Sequence, residues 1–163
     1  MIAFCQKLCH NIRREGDFLE WFNLFGSIFV AALLVPNIIY ALTCKDTVEN
    51  NVRNKFIEIL EQIGRFGCIA FMIFNVPGTF LGWSSGEMFA IYLIVDSILV
   101  ILYCVLWMTV GKKNDLFRAL SLSIVPSILF LFSAITSHSL LLFISSLIFA
   151  PTHIYISCKN CCH

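Results

Sequence analysis

Apolar residues gather in five long blocks, 22–42, 63–83, 88–110, 119–136 and 139–157, each holding at most one Asp, Glu, Lys or Arg. Neither the alternation of a half-buried strand nor the one-sided stripe of a soluble helix accounts for such runs. Block 88–110 has 23 residues; at ~1.5 Å per residue it covers about 35 Å against a hydrocarbon core of about 30 Å. Each block therefore predicts a membrane-spanning helix, the form that satisfies its own backbone polar groups in lipid. Short connections predict antiparallel neighbours. The last two blocks are near the lower length limit, which leaves a re-entrant pair as the structural alternative.

One connection is long, and its polarity differs. Val48, Val52, Phe56, Ile59, Leu60 and Ile63 fall on one helical stripe, Asp46 with Glu49 reads as a cap, and Glu49–Arg53 and Glu61–Arg65 are favourable i,i+4 pairs. An amphipathic helix over 47–62 is expected along the cytoplasmic membrane surface. The expected fold is thus all-α and membrane-embedded: a five-transmembrane-helix up-down bundle with one amphipathic interfacial helix between the first two spans. Residues 1–21 form a polar tail, 22–157 a single transmembrane domain, and 158–163 a Cys-rich tail.

Composition supports this reading. Hydrophobic residues make up 59% and charged residues 13% of the 163, about half the charged share usual in soluble domains. A net charge of +1 without a clustered basic face excludes nucleic acid as a partner. With five spans, Lys7, Arg13 and Arg14 lie on one side of the bilayer and the other eight Lys and Arg on the opposite side. That asymmetry predicts a plasma-membrane protein with its N-terminus outside and its C-terminus cytoplasmic. The first block is longer than the apolar core of a cleaved signal peptide and is expected to persist as a span.

Polar residues inside the spans are few, so each is a candidate. Asp96 lies near the middle of the third span, where a carboxylate faces a bundle interior or a cavity. Alternating span direction puts Asn75 at the same depth, within a few ångströms. Tyr92 at i−4 and Tyr103 at i+7 share the Asp96 face. Asp96, Asn75, Tyr92 and Tyr103 are therefore the expected intramembrane polar site, with Asp96 meeting Asn75 where their helices touch. Asn37 and His153 fall in a second layer and are expected to meet each other. Pro36, Pro77, Pro126 and Pro151 all lie within expected spans, and each has Asn37, Asn75, Ser127 or Thr152 within two residues to satisfy the carbonyls that proline releases.

Catalytic motifs are missing: there is no H-E-x-x-H, G-x-S-x-G or G-x-x-x-x-G-K-[ST]. No enzyme activity and no cofactor are expected. Cys158, Cys161, Cys162 and His163 resemble half of a zinc ligand set but fill only the last six residues, so they are weak metal candidates and no metal is assigned. The stretches LFGSIFVAALLVPNIIYAL, EILEQIGRFG and LFRALSLSIVPSILFLFS resemble uncharacterised small multi-pass bacterial integral membrane proteins, a resemblance that implies the fold and no activity. Two function classes follow: a small carrier or sensor that binds a proton, cation or small polar solute at Asp96, or a non-catalytic accessory subunit. The lipid bilayer is the expected partner, joined in the second case by a larger membrane complex or a second copy of the chain.

Overall fold

The computed structural model describes residues 21–43, 55–110 and 116–161. Its helices are α1 (Leu24–Thr43), α2 (Lys55–Ile73), α3 (Gly86–Val110), α4 (Leu116–Thr136) and α5 (Leu140–Cys161). Extended pairing among the described residues is confined to two isolated bridges, Phe22 with Phe74 and Phe80 with Ser139. The protein is all-helical, and three of its helices are long and apolar enough to cross a membrane: Gly86–Thr109, Leu116–Thr136 and Leu140–Asn160. The expected five are not all of that kind. In α1 the apolar stretch Leu24–Ile39 is shorter, and α2 carries Lys55, Glu58, Glu61 and Arg65.

The second expected span, 63–83, is corrected at both ends. Its helix begins at Lys55, so residues 55–62 are the opening turns of α2 and not a separate interfacial helix; residues 47–54 lie outside the described part. It ends at Ile73, because Pro77 disfavours helix at Val76 and Gly78 turns the backbone to φ 85°. Pro77 thus sits in a connection, whereas Pro36, Pro126 and Pro151 lie inside helices. In each of those three helices the residue after proline reaches back one turn: Asn37 to the Leu33 carbonyl (3.0 Å), Ser127 to Ser123 (2.7 Å) and Thr152 to Ile148 (2.7 Å). Each accepting carbonyl lies one residue beyond the one its proline releases (Ala32, Leu122 and Leu147), so the expected satisfaction of the released carbonyls is not what these bonds provide.

The connection 74–85 closes one end of the bundle. Asn23 N–H donates to the Ile73 carbonyl (2.8 Å) and Asn75 N–H to that of Trp21 (2.7 Å), tying the start of α1 to the end of α2. Leu140 N–H donates to the Thr79 carbonyl (2.9 Å), which fastens the same connection to the α4–α5 turn. The chain therefore runs up and down, and consecutive helices are neighbours except α2 and α3, which are not packed together. Around the bundle the order is α1, α3, α4, α5, α2 and back to α1. The close α2–α5 pairing depends on small residues: a Cβ on Gly64 would sit 2.8 Å from the Phe149 nitrogen, and one on Gly67 would press on the Ser145 hydroxyl.

Polarity is turned inward. Ser123, Ser127 and Ser133 of α4 and Ser145 and Ser146 of α5 are buried, while Ile91, Ile94, Ile98, Ile101 and Met108 of α3 stand on the outside. Hydroxyls of Ser123, Ser127 and Ser146 return to carbonyls of their own helices, so these three are satisfied without water.

Candidate functional site

Asp96 is fully buried on α3. Tyr92, Asp96 and Tyr103 follow one another along a single inward stripe, with Val100 between them. The Ser133 hydroxyl of α4 donates to Asp96 Oδ2 at 2.5 Å. The other oxygen, Oδ1, is buried and has no hydrogen-bond partner among the described residues. A carboxylate normally accepts several bonds, so one donor leaves most of its capacity unused. That half-satisfied acid is the chemical centre of the site.

Tyr92 lies one turn before Asp96, and its hydroxyl accepts a bond from Asn23 Nδ2 at 3.3 Å. Asn23 also caps α1, its Oδ1 accepting from Gly26 N–H at 2.9 Å. Between this layer and the end of the bundle, Trp83 packs on Phe89 and Tyr92 with ring centroids 4.8 and 5.7 Å apart. Its indole Nε1 is buried without a partner among the described residues.

The expected pairings come out differently. Asp96 meets Ser133 and not Asn75, because α3 packs against α1 and α4 while Asn75 belongs to the connection beyond α2. Asn75 is buried at that end, its backbone N–H bound to Trp21. Asn37 is exposed and accepts from the Tyr103 hydroxyl at 3.1 Å. His153 instead contacts Glu61, Nδ1 to Oε1 at 3.0 Å. Asn37 and His153 do not meet, because α1 and α5 are separated by α2 in the ring.

Glu61 is the site residue that reading the sequence misses. It resembles the outward half of an ordinary i,i+4 pair with Arg65, yet it is 3% exposed and held between α2 and α5. Arg65 donates to the same Oε1 through Nε at 3.0 Å and through Nη2. The His153 ring stacks on Phe149, centroids 4.6 Å apart and planes 19° from parallel. The available sequence signal was helical phase: Glu61 shares the buried face of α2 with Gly64 and Cys68, and α5 lies against that face at Gly64.

Cys158 lies half-buried on α5 with a free thiol, while the Cys161 side chain, Cys162 and His163 fall outside the described part. Among the described residues no group of three or more His, Cys, Asp or Glu is placed to hold a metal ion. No family matches the chain, and no curated protein or solved structure is similar to it.

Proposed function

We propose that the chain is a five-span membrane protein, a small carrier or sensor that binds a proton, a cation or a small polar solute at Asp96. One observation carries the reading: Asp96 is wholly buried, takes a single hydrogen bond from Ser133, and keeps a carboxylate oxygen with no described partner. A buried carboxylate in that condition favours a proton or an electropositive ligand at the open oxygen. Structural polar groups in lipid-depth helices are ordinarily paired, as the serines of α4 are.

Two further spans are supported by inverted polarity. Helix α2 presents Phe56, Ile59, Ile63 and Phe66 outward, each more than half exposed, and turns Glu61 inward. A helix wetted by water has the opposite arrangement. At 19 and 20 residues, α2 and α1 reach roughly 28–30 Å, close to the hydrocarbon thickness. The Lys and Arg asymmetry then supports a cytoplasmic C-terminus in a plasma membrane.

The test uses the full chain in proteoliposomes with a pH-sensitive or cation-sensitive dye inside. Wild type is expected to pass protons or monovalent cations above the rate of protein-free vesicles, and Asp96→Asn to fall back to that rate. Equal flux in Asp96→Asn and wild type refutes the carrier reading. No flux in either, together with copurification of a stoichiometric partner from native membranes, transfers the protein to the accessory-subunit class.

A further inference from the structure

We propose that Glu61 and His153 form an acid–base dyad in which Nε2 of His153 is a proton-accepting site in its own right, separate from Asp96. Glu61 Oε1 accepts from Nε and Nη2 of Arg65 and lies 3.0 Å from His153 Nδ1. A carboxylate held by a guanidinium is ionised and can only accept hydrogen bonds. His153 Nδ1 must therefore carry the hydrogen that it shares with Glu61. In the neutral imidazole this places the lone pair on Nε2, the arrangement by which a carboxylate orients a histidine base.

Ring placement preserves that assignment. Stacking against Phe149 fixes the imidazole plane, and a flip of the ring would break the Glu61 bond. The hydrogen bonding of His153 among the described residues is confined to Nδ1. Its side chain is 21% exposed, whereas that of Glu61 is 3% exposed.

With Glu61 and Arg65 charged and His153 neutral, the trio has no net charge. A proton from solvent adds to the Nε2 lone pair, no other bond breaks, and the resulting imidazolium keeps its Nδ1–H bond to the carboxylate, with both partners now charged. The helices packed against α2 bring little that competes. Helix α1 has no Asp, Glu, Lys, Arg or His, and α4 has only Arg118, near its start. From α5 come His153 itself, with Tyr155, Cys158 and Lys159 toward the end of the helix. The dyad sits between α2 and α5 and Asp96 between α3 and α4, so neither group borrows a partner from the other.

The decisive measurement is ¹⁵N NMR of the histidine-labelled full chain in lipid nanodiscs, the His153 signals being identified by their loss in His153→Gln. Wild type is expected to show neutral His153 protonated at Nδ1 and bare at Nε2, then doubly protonated on acidification. In Glu61→Gln the tautomer ratio of neutral His153 should shift toward Nε2–H by about tenfold, because the charged acceptor that holds the proton on Nδ1 is lost. Asp96→Asn should leave it unmoved, so failure of the Asp96 reading and failure of this one are distinguishable. Neutral His153 protonated at Nε2 in wild type overturns the proposal even if Glu61→Gln does not fold. So does an unchanged tautomer ratio in Glu61→Gln, or one that moves with Asp96→Asn.

Discussion

Gly64→Ala tests whether α2 and α5 are as close as the structure shows. A Cβ at position 64 would lie 2.8 Å from the Phe149 nitrogen, 2.9 Å from its Cα and 3.0 Å from its Cβ. Two of those atoms are backbone, so no rotamer change relieves the clash. Ordinary contact starts near 3.4 Å, which requires the helices to part by about 0.6 Å at that point. A radial gap of that size forfeits roughly a quarter to a half of the dispersion attraction of each atom pair it opens. Overpacking of this kind costs about 1–3 kcal/mol, against roughly 0.5–1 kcal/mol that Ala gains over Gly within a helix. Gly86→Ala is the control, because a Cβ there meets nothing within 4 Å. The expected difference between the two variants is about 1–3 kcal/mol, or roughly 2–12 °C in Tm for a chain of this size, read by thermal unfolding in one detergent. Glu61 precedes Gly64 by one turn and His153 follows Phe149 by one, so Gly64→Ala should also lengthen the Glu61–His153 bond. A Gly64→Ala protein as stable as Gly86→Ala would refute the close approach and the helix order built on it.

Further outcomes are expected elsewhere in the molecule. Ser133→Ala removes the one hydrogen bond that Asp96 receives among the described residues and should cost about 1.5–3 kcal/mol, but almost nothing in an Asp96→Leu background; additivity in that double-mutant cycle would count against the contact. Tyr103→Phe and Asn37→Leu should couple by about 0.5–1.5 kcal/mol through their 3.1 Å bond, and zero coupling would separate α1 from α3 at that level. Gly78→Ala meets no neighbour but must hold φ near 85°, so a loss of about 1–2 kcal/mol is expected from backbone strain alone; Asn at 78 should lose less. A nitroxide at position 98, on the exposed face of α3, should collide with oxygen far more than with a water-soluble nickel chelate in nanodiscs, while one at the buried position 100 should meet little of either. The reverse preference at position 98 would place that face in water.

Local composition determined the helices themselves. The apolar blocks became α1, α3, α4 and α5 within a few residues of the expected limits, because a long uncharged run in a chain this hydrophobic has no other way to satisfy its backbone. The inward stripe of Tyr92, Asp96 and Tyr103 was legible for a similar reason: helical spacing puts i, i+4 and i+11 on one face, and the polar member draws that face inside. That Asn37, Ser127 and Thr152 bond back within their own helices was readable only in part: the bonds join residues one turn apart, but each accepting carbonyl lies one residue beyond the one the proline releases. Which residues meet across helices was not. Depth along a span follows from counting, but azimuth depends on which helices are neighbours, and that was decided by Gly64, Gly67 and the serines at the α2–α5 contact. Consequently Asp96 faces Ser133, Asn37 faces Tyr103, and Glu61, outwardly a surface partner of Arg65, is buried against His153. A sequence specifies the rise and phase of each helix through short-range sterics and hydrogen bonds. The pairing of distant side chains is fixed only when whole helices find the packing with the fewest voids, a property of all five together.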